Sequence, residues 1–219
     1  VFTEMQQRKT LAQQLPLKTV LTAHKRGLVI SMLVTWLLSA GIVVVILMTP
    51  TYLQKQLGVP AALALQANCL ATVALLVGCV VSGMLADRIG GGKTLIGGSL
   101  LLGGGCWAFY HLASADAPTL FAAYTLAGFS VGVVGAVPYV MVRAFPAAVR
   151  FTGISFSYNV AYAIFGGLTP ICVTLLMTLT PMAPAYYVLA LAAIGVGVGL
   201  VLNRRSSEGA QKIALAPER

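Results

Sequence analysis

Five long stretches of this chain carry no Asp, Glu, Lys or Arg: Gly27–Gln54, Gln56–Ala86, Thr94–Ala115, Ala117–Val142 and Phe151–Asn203. A helix rising about 1.5 Å per residue needs roughly 20 apolar residues to cross the hydrocarbon core of a bilayer. The first four stretches supply one crossing each. The fifth is long enough for two, and Thr180-Pro181-Met182-Ala183-Pro184 divides it. Six spans are therefore predicted, at roughly 28–49, 62–86, 94–113, 119–142, 152–179 and 185–203. The expected fold class is an all-α membrane protein, a six-transmembrane-helix bundle over 28–203. A lead-in of residues 1–27 precedes it, with Thr10–Val20 suited to a surface helix, and a tail of 204–219 follows.

Charge orients the bundle. Of the 14 Lys and Arg residues, only Lys55 falls in an odd-numbered gap between spans. Arg8, Lys9, Lys18, Lys25 and Arg26 precede the first span. Arg88 with Lys93, and Arg143 with Arg150, fill the even gaps, while Arg204, Arg205, Lys212 and Arg219 follow the last span. Basic residues accumulate on the cytoplasmic side. Both termini are thus expected in the cytoplasm, with the protein in a bacterial inner (plasma) membrane. The hydrophobic share of 58%, the charged share of 9% and a mean hydropathy of +0.91 exclude an ordinary soluble domain. A net charge of +9 would suggest nucleic acid in a soluble protein. Here the cations are scattered through short loops facing anionic lipid, so no nucleic-acid partner is expected.

Candidate chemistry is sparse. No Asp, Glu, Lys or Arg lies inside a predicted span, and such residues usually mark proton or ion sites. Cys69, Cys79, Cys106 and Cys172 form no CxxC pair, which makes them packing residues and leaves no metal site in prospect. His111 belongs at the membrane interface beside Tyr110. No cofactor is expected. What remains are neutral polar stripes at helical spacing. Ser31, Thr35 and Ser39 recur in the first span with Trp36 alongside. Tyr124, Gly128, Gly132, Gly135 and Tyr139 line the fourth, and Thr152, Ser155, Asn159, Tyr162, Gly166 and Thr169 line the fifth. The second adds Gln66, Asn68 and Thr72. Lone Ser and Thr side chains in spans usually bond their own backbone. Asn159 must face either another helix or a watery cavity, since an unpaired amide in hydrocarbon is costly. The 23 Gly residues, concentrated in the spans, suit close helix packing.

After the second span the chain reads Gly83-x-x-x-Asp87-Arg88-x-Gly90-x-x-Lys93. This resembles the loop signature that follows the second helix of each six-helix half in the major facilitator superfamily. Phe145-Pro146-Ala147-Ala148-Val149-Arg150-Phe151-Thr152-Gly153, running into Tyr158-Asn159 and Ala163–Pro170, is similar to the metabolite:proton symporter family within it. The opening Val1-Phe2-x-x-Met5 is similar to the start of that family's central loop. Two departures make the loops less basic than the pattern: Gly91 follows Gly90, and Ala147-Ala148 follow the Phe-Pro.

The resemblance implies the C-terminal half of a twelve-helix transporter, a piece of a longer protein whose N-terminal six-helix half is its partner. It implies proton symport of a small polar metabolite, an organic acid or a zwitterion, by alternating access. The first and fourth spans would face the central cavity, with the second and fifth between the halves. On that basis Thr35, Trp36, Ser39, Tyr124, Tyr139 and Asn159 are the substrate-cavity candidates. Gly83, Asp87, Arg88, Gly90, Lys93, Arg143 and Arg150 form the cytoplasmic gate loop, in which Asp87 is expected to pair with Arg143, Arg150 or the start of the fifth span. The rival readings are an exporter of the same superfamily and an inactive truncated fragment. An enzyme is disfavoured for want of a nucleophile, metal cluster or acid/base pair.

Overall fold

The computed structural model describes residues 16–114 and 116–214. A short helix, α1 (Pro16–Ala23), leads into six long ones. These are α2 (Lys25–Leu57), α3 (Ala61–Ile89), α4 (Gly91–Leu112), α5 (Ala117–Ala144), α6 (Ala147–Met177) and α7 (Ala183–Ala214). Each of the six is long and apolar enough to cross a bilayer, and no strand occurs among the described residues. The all-helical six-span architecture read from the charge-free stretches is the one observed.

Two boundaries differ from the expectation. α2 does not stop at residue 49 but runs on through a polar turn to Leu57, where Gly58 (φ 65°) ends it in the left-handed region. The loop between α3 and α4 shrinks to Gly90 alone (φ 88°), because Gly91 and Gly92 are already helical. The surface helix expected over Thr10–Val20 is represented by α1, and residues 10–15 lie outside the described ones.

Three spans change pitch, and each does so ahead of a proline. An interior proline has no N–H to donate and its ring collides with the carbonyl four residues back. Pro50, Pro138 and Pro170 point that collision at Ile46, Val134 and Gly166. Those residues fall in a π-helical turn at Val43–Met48, a 3₁₀ turn at Gly132–Ala136 and a π-helical turn at Tyr162–Gly166. Hydroxyls take up neighbouring carbonyls, as a lipid environment demands. Thr49 Oγ1 donates to Val44 O (3.0 Å), Tyr124 Oη to Val45 O (2.8 Å) and Thr169 Oγ1 to Phe165 O.

Packing follows the small residues. α3 and α5 cross with their backbones touching: a Cβ on Gly128 would strike the Ala71 backbone, and one on Gly135 the Cys79 carbonyl. A Cβ on Gly132 would strike Gly78. Ser82 of α3 donates a hydrogen bond to the Gly132 carbonyl across this crossing. α4 and α7 meet similarly at Gly92 and Gly199. α2 and α5 are the inner helices, with 67% of their apolar windows buried, while α3 and α6 bury only 22% and 17%. The wide faces of α3 and α6 are therefore open to lipid or to another set of helices. On the loop side, Phe145 is sandwiched between Gly27 and Gly153 and joins Val20 and Val149 in a small second core. That is the structural reason for Phe145 and for Gly153. The aromatic ring needs a glycine opposite it, and the pair clamps α1 against the start of α6.

Candidate functional site

The polar stripe of α2 meets α6 at Ser157, a residue off the predicted α6 stripe. Ser31 Oγ lies 2.6 Å from Ser157 Oγ, and Ser157 also donates to its own Gly153 carbonyl at 2.7 Å. Thr35 Oγ1 donates to Ser31 O (2.8 Å) and reaches Met141 Sδ at 3.9 Å. Ser39 Oγ donates to Trp36 O (3.3 Å). Thr35 and Ser39 are fully buried. They form a sealed seam inside the bundle and bond their own helix, so neither is a wall of an open cavity.

Trp36 is different because it is only half-buried. Its indole stacks on Phe165 of α6, with centroids 4.3 Å apart and planes at 11°. Its Nε1–H donates to Tyr187 Oη at 3.2 Å, and Tyr187 Oη lies 3.0 Å from Thr169 Oγ1. Thr169 spends its proton on the Phe165 carbonyl. Only one proton order satisfies every group: Trp36 to Tyr187, Tyr187 to Thr169, Thr169 to Phe165. The network thus starts and ends on the same stacked pair and ties α2, α6 and α7 together at the break in α6.

Tyr124 is fully buried and stacks on Phe109 at 4.7 Å. Its hydroxyl reaches Val45 O (2.8 Å) and Asn68 Oδ1 (2.6 Å), while Thr49 Oγ1 lies 3.0 Å from Tyr110 Oη. Together they cap the freed carbonyls of the α2 break. Tyr124 therefore holds the break rather than facing a ligand. The sequence stripes missed Phe165, Tyr187, Ser157, Thr49 and Tyr110. Thr49-Pro50 and Thr169-Pro170 were the available signal, a hydroxyl placed beside each forced break.

The remaining candidates lie apart. Asn159 is exposed on α6 and donates to Ser155 O (2.8 Å), with no other helix among the described residues taking its amide. It shares that open face with Tyr162 and, partly, with Tyr158, whose rings are 5.5 Å apart. Tyr139 sits at the end of the bundle that carries Gly90, where the Arg143 guanidinium lies 4.2 Å over its ring. Both line a cavity of ≈ 610 Å³ with Gly90, Lys93 and Asn203. Asp87 and Arg88 are exposed. The expected Asp87 latch is not formed: among the described residues Asp87 makes no ion pair, Arg143 stacks on Tyr139, and Arg150 Nε donates to Phe145 O (3.2 Å). A Cβ on Gly90 would meet nothing within 4 Å and one on Gly83 would make only ordinary contact with the Gly135 carbonyl at 3.9 Å, so only the φ of Gly90 calls for glycine.

Cys106 is buried, as a packing residue should be, but Cys69 and Cys172 are exposed on the outer face of the bundle. No cluster of three metal-ligating side chains occurs among the described residues. His111 is exposed, with its ring 3.9 Å from Trp107, in keeping with an interfacial position.

Comparison with known proteins gives a consistent answer. The family described as Major Facilitator Superfamily matches residues 3–170. A citrate-proton symporter of Klebsiella pneumoniae is 29% identical over 196 residues, covering 87% of this chain and 44% of its own length. An ectoine/proline transporter of Corynebacterium glutamicum is 30% identical over 167 residues, covering 73% and 32%. A Staphylococcus aureus (strain COL) protein whose name refers to proline/betaine transport is 32% identical over 159 residues, covering 67% and 32%. The chain thus spans less than half the length of these relatives. No solved structure matches it.

Proposed function

We propose that this chain, which belongs to the major facilitator superfamily, is one six-helix half of a secondary transporter carrying a small polar metabolite with a proton. The observation that carries this reading is that its broken helices meet. α2, α5 and α6 each change pitch ahead of a proline; Tyr124 of α5 holds Val45 in the α2 break, and Trp36 of α2 stacks on Phe165 in the α6 break. In transporters of this kind, discontinuous helices gather around a midplane substrate site and alternating access comes from one bundle rocking against another. Trp36 with Tyr187 and Thr169 is the best-placed polar group in this half to touch substrate. Thr35, Ser39 and Tyr124 support it from behind. Asn159 and Tyr162 lie on the α6 face that would meet the other half, and Tyr139 stands at the cytoplasmic mouth beside the gate loop.

The substrate class, an organic acid or a zwitterion, rests on relatives named for citrate, ectoine/proline and proline/betaine. The proton is the coupling ion on this reading and no cofactor takes part. No acid lies mid-span here, so the titrating carboxylate belongs to an N-terminal half. The membrane is the bacterial plasma membrane, with both termini cytoplasmic by charge.

Uptake of labelled citrate, proline and betaine into proteoliposomes under an imposed pH gradient tests the reading. The two halves joined are expected to take up at least one of the three, with uptake abolished by a protonophore. Residues 1–219 alone are expected to show no proton-driven uptake. Uptake by residues 1–219 alone overturns the coupling assignment, and failure of the joined halves with all three overturns the substrate class.

A further inference from the structure

A second cavity lies at the opposite end of the bundle from the gate loop. It measures ≈ 450 Å³ and sits where the end of α2 faces the end of α6 and the start of α7. Lys55, Tyr52, Thr51, Gln56 and Thr174 supply its polar lining, with Leu47, Met48, Met177 and Pro184 among the apolar walls. Lys55 is the residue that broke the charge asymmetry of the sequence, the single cation in an odd-numbered gap. It forms no ion pair among the described residues, and no Asp or Glu among them lines the cavity.

Tyr52 carries the second, independent sign of a ligand. The residue is 5% exposed, its ring packed edge-on against Tyr110 at 5.2 Å. Its hydroxyl has no hydrogen-bond partner among the described residues. Among those residues the only fully sealed side-chain N or O without a partner is Ser99 Oγ. The Tyr52 hydroxyl is therefore not sealed, and Tyr52 is one of the residues that line the cavity. A nearly buried phenol normally finds a partner. Thr51, Gln56 and Thr174 likewise have no side-chain hydrogen bond among the described residues.

We infer that this cavity is a carboxylate site, in which Lys55 provides the charge and the Tyr52 hydroxyl a directed donor for a small soluble metabolite anion. An ammonium with a neutral O–H donor and no competing acid is the donor set a carboxylate requires. The size lies within the range of small-molecule pockets. By charge topology the site faces the outside, so it would collect substrate before the central site. This inference rests on the transport reading only for its choice of ligand class. Its geometry would stand in a protein that transports nothing.

The test reads occupancy rather than transport. The chain in nanodiscs of zwitterionic lipid is treated with an amine-reactive acylating reagent, and the modification rate of each lysine is followed by mass spectrometry. Citrate, glycine betaine and choline are the probes; choline keeps the quaternary ammonium of betaine but has no carboxylate. Citrate or betaine is expected to slow acylation of Lys55 by ~10-fold at ten times its Kd, as simple occupancy requires. Lys18, Lys25 and Lys93 in the same sample should react at unchanged rates. Tyr52→Phe keeps the ring and is expected to weaken that protection several-fold without changing the rate in the absence of ligand. No protection by either carboxylate, equal protection by choline, or protection unaffected by Tyr52→Phe overturns the assignment. So does acylation that slows when anionic phospholipid is added and shows no further effect of carboxylate, since the site would then belong to lipid phosphate.

Discussion

Two glycine-to-alanine substitutions in the same bundle should move stability in opposite directions. At Gly132 a new Cβ would lie 2.7 Å from the Cys79 amide nitrogen and closer still to Gly78, whereas ordinary contact starts at 3.4 Å. The obstruction is backbone, so no rotamer change relieves it. Clearing the Cys79 nitrogen alone takes about 0.7 Å, the difference of those two distances, and the closer Gly78 backbone requires α3 and α5 to part by more. A gap of that size forfeits roughly a quarter or more of each van der Waals well along the crossing. It also stretches the hydrogen bond from Ser82 to the Gly132 carbonyl. Overpacking of this kind costs ~1–3 kcal/mol, and the weakened hydrogen bond adds up to ~1 kcal/mol. The better helix propensity of Ala returns only ~0.5–1 kcal/mol. Gly132→Ala should therefore destabilise by ~2–3 kcal/mol, the upper part of the overpacking range. At Gly197 a Cβ would meet nothing within 4 Å. There only the propensity gain remains, and Gly197→Ala should be neutral or stabilising by up to ~1 kcal/mol. Reversible unfolding of the chain in mixed micelles, followed by tryptophan fluorescence, measures both. Equal effects at the two positions, or a Gly132→Ala protein as stable as its parent, would refute the backbone-contact reasoning.

Other consequences are open to direct measurement. With the four native cysteines removed, an impermeant thiol reagent applied to intact cells should label a cysteine at position 115 and spare one at 207; the reverse pattern defeats the charge-based topology. Cysteines at 31 and 157 should form a disulfide readily, given hydroxyls 2.6 Å apart, and failure to cross-link under mild oxidation would contradict the α2–α6 seam. Asp116 accepts a hydrogen bond from Thr119 Oγ1 at 2.7 Å, which holds its carboxyl below the ordinary value. A depressed folded-state pKa stabilises above the unfolded value and is lost as pH falls through the folded one. Thr119→Val should thus lower melting temperature slightly at neutral pH, and the difference should vanish under acid conditions; a difference that grows on acidification has the wrong sign. In the joined transporter, Asp87→Asn should impair uptake while leaving membrane insertion intact. Because Asp87 is unpaired in this conformation, full activity of Asp87→Asn would remove any latch in the others as well.

The six spans were legible because length without charge is a one-dimensional property, and the bilayer selects for it directly. The end of α2 was not, because Thr49–Leu57 is polar enough to look like a loop; hydropathy reports the membrane, whereas a helix ends at its cap, here Gly58. Periodicity placed Ser31, Thr35 and Ser39 on one face correctly, and likewise Gly128, Gly132 and Gly135. It could not say what each face meets. Thr35 and Tyr124 turned inward to hydrogen bonds supplied by their own bundle, while Asn159 remained open. Tyr187 escaped notice since it stands in a Tyr-Tyr pair just inside a predicted span, without helical companions. Its role appears only when the Pro170 break brings Thr169 and Phe165 to it.

The bundle has two unlike kinds of helix contact, and the difference bears on how its helices could move. Where α3 crosses α5, and α4 crosses α7, backbones touch through glycine over several turns. Sliding there would bring Cβ atoms into the glycine notches, so packed interfaces of this sort tend to move as units. Where α2 faces α6 the polar contact is the Ser31–Ser157 pair and the Trp36–Tyr187–Thr169 bridge through α7, with one aromatic stack. Such bonds are worth about 1 kcal/mol each and can be exchanged. Both helices also carry a π-helical turn, whose looser hydrogen bonding needs less to rearrange than an α-helical ladder. On the proposed transport reading, α3–α5 and α4–α7 are rigid pairs and the α2–α6 seam is the compliant one. The Trp36 network and the Lys55 cavity both lie along that seam, so the part of this half most able to change shape is also the part best equipped to meet a polar solute.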